Sequence, residues 1–240
     1  SDCVIVSSEW SSAGVINLIG YCYSALIKLL LQGIMCRGYI TQGNVYHNDN
    51  QIIGTAYMEA LEKEKNKEIV IFQRSADEKG TPFVEIAPDV CSYISNCNDS
   101  CVKKLFKRYT ATDGKYTALF PFNSLIHSFA IDKTFDPEKQ KISTQNLRAL
   151  IIKCKDRIDA LIDKSDPRAV QKGEHYLEQL DKKLSGCDKT DEIINKLSSV
   201  FPSRRNDYGG QVNSPKVDKC CRNKGKNEDG ECFFKCLVHV

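Results

Sequence analysis

Residues 13 to 35, AGVINLIGYCYSALIKLLLQGIM, are the longest apolar stretch in the chain. Their length is that of a membrane-spanning helix of about 20 residues. Asn17, Lys28 and Gln32 interrupt the run, and a charge near the middle of a span costs about 3 kcal/mol. The pattern therefore predicts a helix buried inside a core. RGYITQGNVY, residues 37 to 46, alternates as a strand does, with Tyr39, Thr41 and Gly43 on the face opposite Ile40 and Gln42. The following His47-Asn48-Asp49-Asn50 is turn-forming, and TAYMEALEKEKNKE is rich in Ala and straight-chain residues that favour a helix. Ile69 to Phe72 reads as a short buried strand.

Between Arg74 and Ser100, Gly80, Pro82 and Pro88 punctuate the chain, leaving loops and one short helix near Asp89 to Ile94. Asp113-Gly114 sits between two β-rich runs, Leu105 to Thr110 and Lys115 to Phe122, which predicts a hairpin. Beyond Pro137 the apolar positions recur at helical spacing from Leu147 to Ile162, behind a Ser143/Thr144 cap. Asp166-Pro167 reads as a cap and first helical residue, opening a second helix that stops at Gly186 and packs antiparallel to the first. A third helix, capped by Thr190, carries Ile193, Ile194 and Leu197. Residues 203 to 230 are polar and rich in Gly and Lys, which reads as a flexible tail. The pattern as a whole predicts an α/β (α+β) fold: a mixed sheet with flanking helices, followed by a C-terminal helical extension.

The chain has 240 residues, of which 41% are hydrophobic and 27% charged, as in ordinary globular proteins. The balance of 34 basic against 31 acidic residues does not form the footprint of a nucleic-acid-binding surface. Twelve cysteines invite two readings. Cys3, Cys22, Cys36 and Cys154 lie in apolar segments, where a free thiol behaves as a small hydrophobe, and this favours a reducing cytosol over a secreted disulfide framework. Cys220, Cys221, Cys232 and Cys236 could supply four thiolates to zinc, but their spacing departs from a regular knuckle. Cys91, Cys97 and Cys101 carry the same suggestion and the same objection. The basic run from Lys216 to Lys226 reads as a solvated segment.

Three ordered segments carry a more specific signal. Ser1-Asp2-Cys3 opens an apolar strand. Arg37-Gly38-Tyr39-Ile40-Thr41-Gln42-Gly43 forms the next strand, and Ile53-Gly54-Thr55-Ala56-Tyr57-Met58-Glu59-Ala60 leads into a helix. In order and spacing they resemble class III nucleotidyl cyclase domains, and most closely the bacterial Pycsar-type pyrimidine cyclases. The resemblance covers residues 1 to 76 and extends by expected topology to a cyclase-like domain over 1 to 135. A helical extension over 136 to 200 and a Cys- and Lys-rich tail over 201 to 240 lie outside it.

The resemblance implies a homodimer with an active site between subunits, in the bacterial cytoplasm and without membrane attachment. The implied reaction is attack of a ribose 3′-hydroxyl on the α-phosphate of a nucleoside triphosphate, releasing pyrophosphate and a 3′,5′-cyclic monophosphate such as cUMP or cCMP, as an antiphage signal. Two divalent ions, Mg²⁺ or Mn²⁺, neutralise the developing charge and want hard oxygen ligands from Asp on adjacent strands. By the same resemblance Asp2 is the catalytic metal ligand. Asp2 is the second of the metal-binding pair, and the other Asp is expected on the first strand upstream of Ser1, about 40 to 50 residues before Asp2, so the domain is expected to lack its first strand. Gln51, Gly54 and Arg37 stand at the substrate-binding positions, and the Gln51 amide can pair with a purine or a pyrimidine.

The chain departs from the purine-specific members at Met58 and Glu62, where those place Asn and Arg. The residues also have plain structural readings: Asp2 as a solvated strand-end carboxylate, Gln51 and His47 as surface turn residues, Arg37 as a strand flank, and Gly43 and Gly54 as relief for tight packing. A catalytically inactive dimerising or nucleotide-sensing module is the alternative expectation.

Overall fold

The computed structural model describes residues 3–48, 51–132 and 134–200, and the backbone alone of 232–239. A seven-stranded mixed sheet is flanked by six α-helices among these residues. Strand β1 (Cys3–Ser8) leads to helix α1 (Ser12–Leu30), then to β2 (Arg37–Asn48), β3 (Gln51–Gly54) and α2 (Thr55–Lys65). After a long connection come β4 (Val84–Ile86), α3 (Pro88–Asn96), α4 (Ser100–Tyr109), the hairpin strands β5 (Thr110–Thr112) and β6 (Thr117–Leu119), α5 (Pro137–Leu161), α6 (Pro167–Ser198) and β7 (Cys232–His239). The sheet order is β1-β7-β2-β4-β6-β5, with β3 paired to β2. This is the mixed α+β architecture the pattern predicts.

Helix α1 is held by its inward face. Ser11 caps it by accepting a hydrogen bond from the Gly14 amide, and Val15, Ile19, Leu26 and Leu30 are closed to solvent. It is long and apolar enough to cross a membrane, and half of that stretch is buried within the fold. Gly38 to Thr41 of β2 are all buried. Successive strand residues face opposite sides, so this part of the sheet is covered on both faces. Farther along, Tyr46, His47 and Asn48 are exposed.

The connection between α2 and β4 corrects one expectation. Ile69 and Ile71 are fully buried, as expected of a strand, but they form none. Ile69 O accepts from the Thr81 amide, and the Val70 and Ile71 amides donate to Glu85 Oε2 at 3.2 and 3.3 Å. A buried carboxylate thus takes the donors that a neighbouring strand would have taken. Phe72, at φ +59°, then turns the chain out of extended geometry.

Further corrections concern element ends. The Asp113-Gly114 hairpin is present, but Leu105 to Tyr109 belong to α4, where Asp99 caps the helix. Helix α5 starts at Pro137 behind Asp136, whose carboxylate accepts from the Glu138 and Lys139 amides, about two turns ahead of the Ser143/Thr144 cap expected. Helix α6 opens at Asp166-Pro167 as expected but runs unbroken through Gly186 and Thr190 to Ser198. A Cβ at Gly186 would meet nothing, and Thr190 Oγ1 donates to Gly186 O within the helix. A lone glycine lowers helix propensity by about 1 kcal/mol and does not end a helix whose flanks are packed.

The last correction is the largest. Cys232–His239, read as part of the tail, forms a strand seated between β1 and β2, antiparallel to both. Residues 201–231, including Cys220 and Cys221, lie outside the described residues.

Helices α5 and α6 pack on each other, and Ile151, Cys154, Ile158, Tyr176, Leu180 and Cys187 join the same core as α1 and the sheet. The eight cysteines whose side chains are described are free. Burial pushes the Cys36 thiol up to about 12, so it stays protonated and acts as packing.

Candidate functional site

The corner where β3 meets α2 is set by two glycines. Gly54 pairs with Val45 and caps α2 at φ +145°, and a Cβ there would lie 2.0 Å from Asn44 O. Gly43, at φ +151°, faces the first turn of α2, where a Cβ would come within 2.8 Å of Thr55 Oγ1. The β2–β7 register shifts between Gln42 and Val45, so the strand is irregular at this point. The two glycines let the start of α2 lie against β2. No side chain caps that helix end, which leaves first-turn amides without an intrahelical or capping partner.

An open cavity of about 590 Å³ lies at this corner, lined by Ile52, Ile53, Tyr57, Met58, Glu59 and Glu62 together with Gly54 and Thr55. Beside it Tyr46, Ile53 and Met58 are 59%, 55% and 50% exposed. Glu59 Oε2 accepts from Thr41 Oγ1 at 2.7 Å. No Lys or Arg lines the cavity. Gln51 is exposed beside it, and its backbone N–H donates to Asn48 Oδ1 at 2.8 Å. His47 is exposed and shares a 2.7 Å hydrogen bond with Ser7 Oγ.

Arg37 is not part of this corner. It begins β2, eight residues before Val45, a distance of roughly 25 Å along a strand. There its guanidinium pairs with Glu64 at the far end of α2 and donates to Gly80 O. These contacts join β2, α2 and the connection before β4. Arg37 is a structural clamp in this chain, although its Nε is buried without a hydrogen-bond partner.

Asp2 lies outside the described residues. It is bonded to Cys3, and Cys3 is aligned through His239 with Arg37, at the end of the sheet opposite the Gly54 corner. The described residues include no group of three or more His, Cys, Asp or Glu able to hold a metal ion. Beside β1 runs β7, Cys-Phe-Phe-Lys-Cys-Leu-Val-His, which carries no carboxylate. Among the described residues, therefore, the strand beside β1 supplies no second carboxylate.

Two features escaped the sequence reading. Trp10, Gln42, Gly43 and Asp89 line a second cavity of about 370 Å³. Lys67, Lys79, Arg168 and Lys172 converge on a third. Both gather residues from elements far apart in sequence, so no local spacing announces them. Comparison with family models, curated proteins and solved structures finds no match.

Proposed function

We propose that the chain is a class III-type nucleotidyl cyclase domain that binds a nucleoside triphosphate between two copies and forms a 3′,5′-cyclic monophosphate. The resemblance favours uridine or cytidine as the base and a bacterial antiphage signal as the use. One observation carries the reading: Cys3, next to Asp2, and the Gly54 corner with Gln51 lie at opposite ends of one sheet. One copy cannot bring both ends to one phosphate. Two copies arranged head to tail can, and the exposed Tyr46, Ile53 and Met58 supply an apolar surface for that pairing.

In the reaction the 3′-oxygen bonds to the α-phosphorus while the bond from that phosphorus to the bridging oxygen breaks. The hydroxyl proton passes to solvent water and pyrophosphate leaves. Bound divalent ions would supply charge neutralisation. Among the described residues the contributions to such a reaction are those of the corner: uncapped α2 amides as donors to substrate oxygen, and Gln51 as a hydrogen-bonding side chain for a base.

A second reading, a catalytically inactive dimerising or nucleotide-sensing module, is favoured by two specific features. Glu59 and Glu62 line the cavity without a cation, which repels phosphate. The strand adjacent to β1 brings no second carboxylate.

The test is incubation of the purified protein with all four ribonucleoside triphosphates and Mn²⁺, with products read by mass spectrometry and mass in solution by light scattering. A cyclic monophosphate that disappears in Asp2→Ala supports the cyclase. A folded dimer that binds nucleotide but yields no product supports the module. A monomer that neither binds nor reacts overturns both.

A further inference from the structure

The third cavity, of about 290 Å³, lies where the α2–β4 connection meets α6, and it is lined by Lys67, Asp77, Lys79, Arg168 and Lys172 with Glu78 and Gln171. Each segment is fixed before it presents its charge. Lys67 stands at φ +58° just past α2, where the Lys67 and Glu68 amides close the helix end on Glu64 O and Lys63 O. Lys79 follows a loop tied by Gln73 Nε2, which donates to Ala76 O and Glu78 O. Arg168, Gln171 and Lys172 stand three and four residues apart and so share one face of α6. That helix is pinned to the loop by Arg74, which pairs with Glu174 and Glu178, and by His175, which donates to Glu78.

The charges in this cavity do not balance. None of Lys67, Lys79, Arg168 and Lys172 takes part in an ion pair among the described residues, although ion pairs are frequent elsewhere on α6. Of the two lining carboxylates, Glu78 is spent on His175 and on the Arg74 amide, which leaves Asp77, with Asp166 nearby as a further negative charge acting on Lys172. Lys172 is half-buried. Burial and then the nearby Arg37, Lys67 and Arg168 charges hold its ammonium below the ordinary lysine range, against the opposing pull of Asp166. Gly80, at φ +71°, lets the loop come close to this group: a Cβ there would lie 2.7 Å from Arg37 Nη1 and 3.1 Å from Lys67 Cβ. Four cations carried on three anchored segments around one cavity suit a compact polyanion, since phosphate oxygens take charge-assisted hydrogen bonds from Lys and Arg.

We infer that this cavity is a binding site for a compact phosphate-bearing anion, which would add a bridge between α6 and the α2–β4 connection. The site is separate from the Gly54 corner, and the inference stands apart from the cyclase reading. The test uses inorganic pyrophosphate as the probe, in calorimetric titrations at low ionic strength. The variant Lys67→Ala/Lys79→Ala/Arg168→Ala alters only exposed side chains. Lys103→Ala/Lys104→Ala/Lys107→Ala removes the same charge from the exposed face of α4.

The expected result is saturable binding that weakens at least about tenfold in the first variant and less than about twofold in the second, with circular dichroism of both unchanged. Pyrophosphate should also raise the melting temperature of the wild type by more than that of the first variant at the same concentration. Undiminished binding in the first variant, equal loss in both variants, or no binding by the wild type would each overturn the site.

Discussion

His175 Nε2 donates to Glu78 Oε1 at 2.6 Å, and the two side chains are only 4% and 3% exposed. The other Glu78 oxygen accepts from the Arg74 amide at 2.7 Å, and Phe83 meets the His175 ring edge-on at 5.8 Å. One carboxylate therefore holds both the 74–78 loop and the middle of α6.

Replacing Glu78 with Ala leaves a buried imidazole N–H and a backbone N–H without partners, and the expected loss is about 2 to 4 kcal/mol. Arg74→Ala breaks two ion pairs on the same helix, but Glu174 and Glu178 are half-exposed, so its expected cost is about 1 kcal/mol or less. Urea unfolding of both variants checks this order. Equal costs would show that the buried contact is not the clamp.

The Gly54 corner yields a steric prediction. Gly54→Ala sets a Cβ 2.0 Å from Asn44 O and 2.8 Å from the Val45 Cα, at a φ that side chains disfavour. The contacts are backbone, so no rotamer change relieves them, and the expected destabilisation is about 3 kcal/mol or more. Gly186→Ala meets nothing and is expected to stabilise α6 by a few tenths of a kcal/mol up to about 1 kcal/mol. Denaturation midpoints moving in opposite directions would bear this out, and a tolerated Gly54→Ala would remove the steric argument for that glycine.

These two glycines show what the sequence makes legible. Both alter local backbone geometry or propensity, but only the fold tells which one is under load. Local chemistry read correctly where it acts locally: Asp166-Pro167 as a helix start, Asp113-Gly114 as a turn, α1 as a core helix. It misled where a distant group intervenes. Glu85, fourteen residues on, takes the Ile71 amide and removes the strand expected over Ile69 to Phe72. The seat of β7 between β1 and β2 joins residues from the two ends of the chain, which no periodicity encodes. Of the expected site residues, Gln51 and Gly54 share a corner, whereas Arg37 lies at the opposite end with Glu64.

Glu85 itself gives a pH prediction. Burial raises its carboxyl above the ordinary value of 4.5, outweighing the Val70 and Ile71 amides, which lower it. The folded chain therefore keeps this proton to higher pH than the unfolded chain does. The associated stability is complete below the unfolded pKa and is lost as pH rises through the folded one. The difference in stability between wild type and Glu85→Gln should thus favour the wild type most below the ordinary carboxylate range and least at neutral pH. Urea midpoints of the pair across that range measure it, and a difference that grows toward neutral pH would contradict the sign.

Lys172 tests the third cavity from the opposite direction. Its ammonium is held below the ordinary 10.5, first by burial and then by Arg37, Lys67 and Arg168, which together outweigh the opposing carboxylate of Asp166. A depressed lysine contributes stability above its unfolded pKa that is lost as pH falls through the folded one, so at neutral pH the charged side chain weakens the fold. Lys172→Met keeps the stem packing and removes the charge, and it is expected to raise the melting temperature at neutral pH, with the gain shrinking as pH approaches 10.5. Adding pyrophosphate should reverse the order, because the wild type gains a ligand that the variant holds less well. Thermal melts of both proteins, with and without pyrophosphate, give four curves. A variant less stable than the wild type without the anion would show that Lys172 already has its counter-charge within the fold, and that the cavity has no need of one from solution.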